Sequence, residues 1–475
     1  MVNTPNISSG KTAGFVLAVA LLFGASPGTS LWAQEKVRQS PPEGGTPKDF
    51  ILPTKQHYQL PNGLKVTLVP YGSIPKVTIS AIVMAGNLNE GKDTWLADLT
   101  ASLMEEGTSS RSAQNVAREA AEMGGSLSIG VGLDQTFVTG QSLAEFAPDM
   151  VALLADVMLH PALPADELER LRRDSLRNLE VALNDPDTMA LVAFREALYG
   201  DHPYGRLFPS AEQLQSYTVE QIRTFWDENF GAQRTHVFVA GMFDSTAVSA
   251  AIEQAFGGWK SGPGPLLMPP QPAKDRQYVD LINRNNASQS NVYLGLVTPD
   301  PSQLDYVALQ AANSMLGGAF SSRITRNIRE DKGYTYSPNS ALSARKQDAY
   351  WVQNAAIATD DTAAALKEVY SEINRLRDEP PSEQELLATQ NLMAGIFTLQ
   401  NSTPQGIINV LNYVDLHGLG DDYLSDYVSR VYALTPAEIS RVTQEYLKPD
   451  EMTLVVVGDG ARIGEQLVPY LEPAP

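Results

Sequence analysis

The strongest constraint on the fold is internal. The stretch YTVEQIRTFWDENFGAQRTHVFVAG, Tyr217 to Gly241, returns as LTPAEISRVTQEYLKPDEMTLVVVG, Leu434 to Gly458. Thr218 pairs with Thr435, Ile222 with Ile439 and Gly241 with Gly458, each 217 residues apart. LPADELERL from Leu163 and PPSEQELLA from Pro380 fall near the same offset. A constant offset across separate segments marks a duplication, so both halves must reach one architecture. Between them GGWKSGPGPLLMPPQPAK, Gly257 to Lys274, holds five prolines and reads as a semi-extended linker acting as a hinge.

Within a half, hydrophobic periods alternate. HYQLPNGLKVTLVPY sets an Asn-Gly turn between alternating apolar runs, a hairpin signal. Thr94 to Glu106 reads as helix, SLSIGVGLDQTFVTGQSL as a strand pair, and FAPDMVALLADVML and Asp166 to Asn184 as helices. A further helix and the strand HVFVAG close the half. Hairpins adjoining runs of helix predict an α+β fold: two homologous domains, each a mixed or antiparallel sheet with helices on one face. The expected boundaries are a first domain over 54–257, a linker over 258–274 and a second domain over 275–475.

The N-terminus reads as a targeting segment. Lys11 precedes the short apolar run AGFVLAVALLFGA, and a cleavage site follows Ala33. Residues 1–33 are thus expected to be a signal peptide and 34–53 an N-terminal extension, with an uncleaved anchor as the alternative. No later segment reads as a membrane span, so the expected location is periplasmic or secreted. A net charge of −20 argues against nucleic acid and anionic membrane surfaces as partners, since both attract clustered Lys and Arg. The absence of cysteine removes thiol nucleophiles and thiolate metal sites, and leaves stability to the core.

The duplicated halves, the block GGAFSSRITRNIREDKGYTYS (Gly317 to Ser337) and the HPYG at His202 resemble the pitrilysin/insulinase and mitochondrial-processing-peptidase family of inverted zincins. The resemblance runs from about Tyr58 to Gly458. It implies a first-half helix bearing H-x-x-E-H, with two zinc ligands and a general base, and a Glu on a later helix as third ligand. In the register set by Gly107-Thr108, the ligand positions fall on Asp98 and Ser102 and the base on Ala101. Anchored on Asp185-Pro186-Asp187, the third-ligand position falls on Asn178. Glu180 lies two residues on, which turns it to another helix face. A peptidase zinc needs three protein ligands, an open position and a base. Asp98 can ligate, Ser102 is a poor ligand and Ala101 cannot be a base. No zinc is therefore expected in this chain.

The chain has five histidines, His57, His160, His202, His236 and His417, with no two at helical ligand spacing. Each reads as a surface or capping residue, His202 as part of a structural turn. Ser109-Ser110-Arg111 and Ser321-Ser322-Arg323 lack the G-x-S-x-G elbow of a nucleophile. The second half keeps the family's other pair. Arg329 and Tyr336 stand seven residues apart, Arg329 on a helix over 323–329 and Tyr336 where a strand begins after Gly333. The resemblance gives them substrate and transition-state contacts; the alternative pairs Arg329 with Glu330 or Asp331 and packs Tyr336 in the core.

Some exported members of this family divide the work between two chains, one holding zinc and the other donating the Arg/Tyr pair. The resemblance therefore implies a non-catalytic subunit that binds unfolded peptide and completes the site of a homologous H-x-x-E-H subunit. A non-enzymatic holdase or scaffold, possibly a homodimer, is the alternative.

Overall fold

The five strands of the second sheet repeat the spatial order of five of the six strands in the first. The first contributes β1 (Gln56–Gln59), β2 (Lys65–Pro70), β3 (Lys76–Val83), β4 (Ser126–Val131), β5 (Thr136–Leu143) and β6 (Thr235–Gly241), ordered β1-β2-β6-β3-β5-β4. The second contributes β7 (Tyr278–Asn283), β8 (Gln289–Thr298), β9 (Asn339–Arg345), β10 (Asp348–Ala358) and β11 (Thr453–Gly458), ordered β7-β11-β8-β10-β9. Among the described residues, only β2–β6 and β7–β11 pair in parallel. The repeated HVFVAG and TLVVVG are inner strands, and their unbroken apolar runs suit strands covered on both faces. This is a computed structural model in which residues 51–268, 278–420 and 422–471 are described. The expected leader, most of the N-terminal extension and linker residues 269–274 lie outside them.

The helices of the first half are α1 (Leu96–Met104), α2 (Ala113–Glu122), α3 (Ala147–Leu159), α4 (Ala165–Asn184), α5 (Pro186–Tyr199), α6 (Ala211–Ser216), α7 (Val219–Asn229) and α8 (Ser245–Phe256). Those of the second are α9 (Tyr306–Asn313), α10 (Thr362–Asp378), α11 (Glu383–Gln400), α12 (Pro404–His417), α13 (Asp422–Ala433), α14 (Pro436–Tyr446) and α15 (Gly460–Leu471). Duplication extends to the caps. Thr218 accepts from the Gln221 amide at the start of α7, and Thr435 from the Glu438 amide at the start of α14. Each satisfies an amide that the first helical turn leaves open. The hairpin forms where Asn-Gly predicts it, with Gly63 at φ 99° and Gln59 opposite Lys65.

Each sheet is covered on one face by helices of its own half and on the other by a helix from the opposite half. Ala190, Phe194 and Leu198 of α5 pack on Tyr293, Tyr350, Val352, Val455 and Val457 of the second sheet. In return, Ile407, Ile408 and Leu411 of α12 join a core with Val69, Ile82, Phe238 and Ala240 of the first. The expected helices on one face are thus half of the arrangement. Polar contacts ring the exchange: Gln135 and Asn412 join through both amide edges at 2.9 Å each. His236 bridges Thr67 at 2.8 Å and Asp415 at 3.1 Å. Opening the halves about the linker would have to separate all of these contacts.

Candidate functional site

The N-terminus of α1 is held by a residue upstream of it. Glu90 is buried and accepts from the amides of Trp95 at 3.1 Å and Ala97 at 2.8 Å, capping the helix in place of an N-cap side chain. Asn87 Nδ2 donates to both Glu90 Oε1 (2.9 Å) and Asp98 Oδ2 (2.7 Å), tying two carboxyl groups to one amide. Burial pushes the Glu90 carboxyl up to about 8, outweighing the hydrogen bonds that favour its charge. Burial also raises Asp98, against the opposing pull of Asn87.

On this helix the Ser102 hydroxyl donates to the Asp98 carbonyl oxygen at 2.9 Å, a bond within its own turn. Ala101 is buried with no donor atom to offer, and Asn178 on α4 is solvent-exposed, as is Glu180. Zinc does not fit this donor set. One carboxylate, a back-bonded hydroxyl, a methyl and an exposed amide give no three-ligand site and no base. Among the described residues, no group of three His, Asp or Glu side chains could hold a metal.

The second-half block differs from the regular helix expected over 323–329. Two wide π-helical turns, Ser314–Gly318 and Thr325–Asp331, flank a short link that carries Phe320. Such turns are rare, and many occur at functional positions. Ile324 and Ile328 stay fully buried. Arg329 lies in the second turn, its guanidinium 4.5 Å from the ring centre of Phe320, which is 69% exposed. No ion pair holds Arg329 among the described residues.

Gly333 turns the chain at φ 69°, and the strand begins only at Asn339, after Pro338. Thr335 is pinned inward by its hydroxyl bond to the Ala356 carbonyl at 2.7 Å, while Tyr336 beside it points out and is 86% exposed. Arg329 and Tyr336 share no hydrogen bond; Arg329 is half-buried against Phe320, and Tyr336 is exposed.

Three of the five histidines, His202, His236 and His417, pack within the structure. His202 Nδ1 accepts the Tyr204 amide at 3.2 Å, and the Tyr204 hydroxyl donates to Asp134 at 2.6 Å, which explains HPYG as an anchor. His236 belongs to the interface between halves, and His417 packs 4.5 Å from the Tyr413 ring. Both are half-buried rather than on the surface, His236 against α12 and His417 at the end of that helix.

Residues 66–208 match the Insulinase (Peptidase family M16) family, and residues 216–393 match the Peptidase M16 inactive domain. The chain belongs to the M16 family. An uncharacterized zinc protease of Mycobacterium leprae is 29% identical over 293 residues, 60% of this M16 chain and 64% of that relative. The chain thus spans less than two thirds of that relative's length. The M16 inactive domain from Pseudomonas fluorescens superposes with a TM-score of 0.79 at 23% identity, over 85% of this chain and 98% of that one. The periplasmic protease PqqL from Escherichia coli superposes at 0.73 with 19% identity, over 88% of this chain and 47% of PqqL. Both share the fold. No helix among the described residues of this M16 protein is long and apolar enough to cross a membrane.

Sequence reasoning missed Glu90 and the Asn87 bridge. The cap reaches α1 from outside the usual N3 register, so only the acidic residue near a helix start could have signalled it.

Proposed function

We propose that this protein is the non-catalytic subunit of an exported, heterodimeric zinc metallopeptidase. It would hold unfolded peptide in a clamp-like chamber and present Arg329 and Tyr336 to the active site of a homologous H-x-x-E-H partner. The observation that carries this reading is the contrast between the two motif sites. The first-half donor set does not fit zinc, whereas Tyr336 is exposed and Arg329, half-buried over Phe320, makes no ion pair among the described residues. A Tyr packed in the core would be hidden, and this one is 86% exposed.

The partner would supply the metal, the attacking water and the base. This chain's share is hydrogen bonding. A guanidinium offers forked donors and a phenol one more, and both strengthen as a peptide carbonyl becomes an oxyanion. Coverage of 47% of PqqL supports two such chains making one complete chamber, and a periplasmic relative agrees with the apolar leader. Purification of the native protein tests the proposal. The expected result is a co-purifying homologous chain with H-x-x-E-H and one zinc per pair. A lone chain that cleaves peptides, or that itself carries the zinc, would refute it.

A further inference from the structure

The second half carries a groove that this function leaves unassigned. Between α9, α11, α12 and α13, two hollows of about 520 and 360 Å³ share Gln310, Phe397, Gln400 and Tyr427 as a common wall. Among the described residues, no charged side chain lines either one, in a protein of net charge −20. Six carboxamides do: Gln310, Asn313, Gln400, Asn401, Gln405 and Asn409.

Two of the six serve the fold. Asn401 donates to the Phe397 carbonyl at 2.8 Å, and Asn313 Oδ1 accepts from Trp351 and Ser340, both at 2.8 Å. The rest keep capacity in reserve. Gln405 donates to Asn409 Oδ1 at 2.8 Å, which leaves the Asn409 NH₂ open. The carboxamides of Gln310 and Gln400 make no hydrogen bond among the described residues, and Gln310 Oε1 is buried without a donor. Leu342, Met393 and Ile396 supply apolar surface beside them.

A carboxamide presents one donor and one acceptor side by side, as a peptide unit does. An uncharged wall offers no counter-charge, so an ionised side chain entering it loses hydration for nothing in return. We propose that this groove binds an extended, uncharged peptide segment. Gln310, Gln400 and Asn409 take its backbone amides, and Leu342, Met393 and Ile396 seat its apolar side chains. The inference rests on the reading of the protein as a peptide-holding subunit and adds which segments it holds.

The test is fluorescence anisotropy on the whole chain with labelled ten-residue peptides of Leu, Ser, Gln and Ala. Two further peptides carry a central Lys-Lys or Asp-Asp. The neutral peptide should bind, and each charged one should bind at least tenfold more weakly. Gln310→Leu keeps the size and removes the polar edge; it should weaken the neutral peptide roughly tenfold with an unchanged melting temperature. Gln310→Glu should turn the preference towards the Lys-Lys peptide, a gain that misfolding cannot imitate. Equal binding of all three peptides, wild-type affinity in Gln310→Leu, or capture of a neutral oligosaccharide in place of peptide would overturn the proposal. Arg329→Ala separates the two readings: it should leave this binding intact while turnover by the complex falls.

Discussion

Phe194→Ala would show whether the two halves stand or fall together. Phe194 belongs to the first half in sequence, yet its ring is fully buried in the second. It lies 5.8 Å from Tyr293 and 5.7 Å from Tyr350, the latter edge-on at 75°. Beneath it is Gly295 of β8, where an added Cβ would stand 3.0 Å from Phe194 Cζ. The neighbours sit on hydrogen-bonded strands and cannot collapse into the space, so the truncation should cost ~3–5 kcal/mol, the range for a buried Phe. That is a large part of a typical domain stability of about 5–15 kcal/mol. Urea unfolding should show one transition displaced to lower denaturant, followed by circular dichroism and by hydrogen exchange in both sheets. Amides of β3 and β6 should lose protection together with those of β8 and β10. If the second sheet kept its wild-type protection while the first lost it, the helix exchange would not couple the halves and the reasoning would fail.

Other outcomes follow from the same structure. The purified chain should hold no stoichiometric zinc by elemental analysis, and Ser102→His should still hold none, because one imidazole cannot assemble a site; one tightly bound zinc would reject the reading. Glu90 has a folded-state value near 8 against 4.5 as its reference, so it is protonated when folded and ionised when unfolded between those limits. Its contribution is complete below pH 4.5 and is lost as pH rises towards 8, by several kcal/mol in all. The stability of Glu90→Gln relative to wild type should therefore climb from pH 5 to pH 8 in denaturant titrations; a flat difference would contradict the buried acid. Finally, a protease site placed after Gly264 should be cut without separating the halves on size exclusion, since α5 and α12 hold them. Two separated fragments would return the linker to a hinge between loose domains.

Much of the fold is legible in the sequence because local signals and duplication agree. Thr218 and Thr435 announce helix starts, and Asn62-Gly63 announces the hairpin. The exchange of α5 and α12 is not legible. Periodicity shows that Ala190, Phe194 and Leu198 form an apolar stripe, but says nothing about which sheet covers it. His236 illustrates the same gap, since its partner Asp415 lies 179 residues away. The site divides likewise. Arg329 and Tyr336 stand out through family resemblance alone, for an isolated Arg and Tyr carry no pattern. The π-helical turns around them depend on how Ile324 and Ile328 seat in the core. The carboxamide groove gathers residues between 310 and 427, each ordinary in its own segment.

In the proposed function, Arg329 and Tyr336 act on a partner's active site. Turnover by the reconstituted heterodimer, measured beside its thermal melt for Arg329→Ala and Tyr336→Phe, tests it most directly. Each lost donor should remove ~3 kcal/mol of transition-state stabilisation, about a hundredfold in kcat, with KM, pairing, melting temperature and the partner's zinc unchanged. Full turnover with a lowered melting temperature would make the two residues structural and contradict the account.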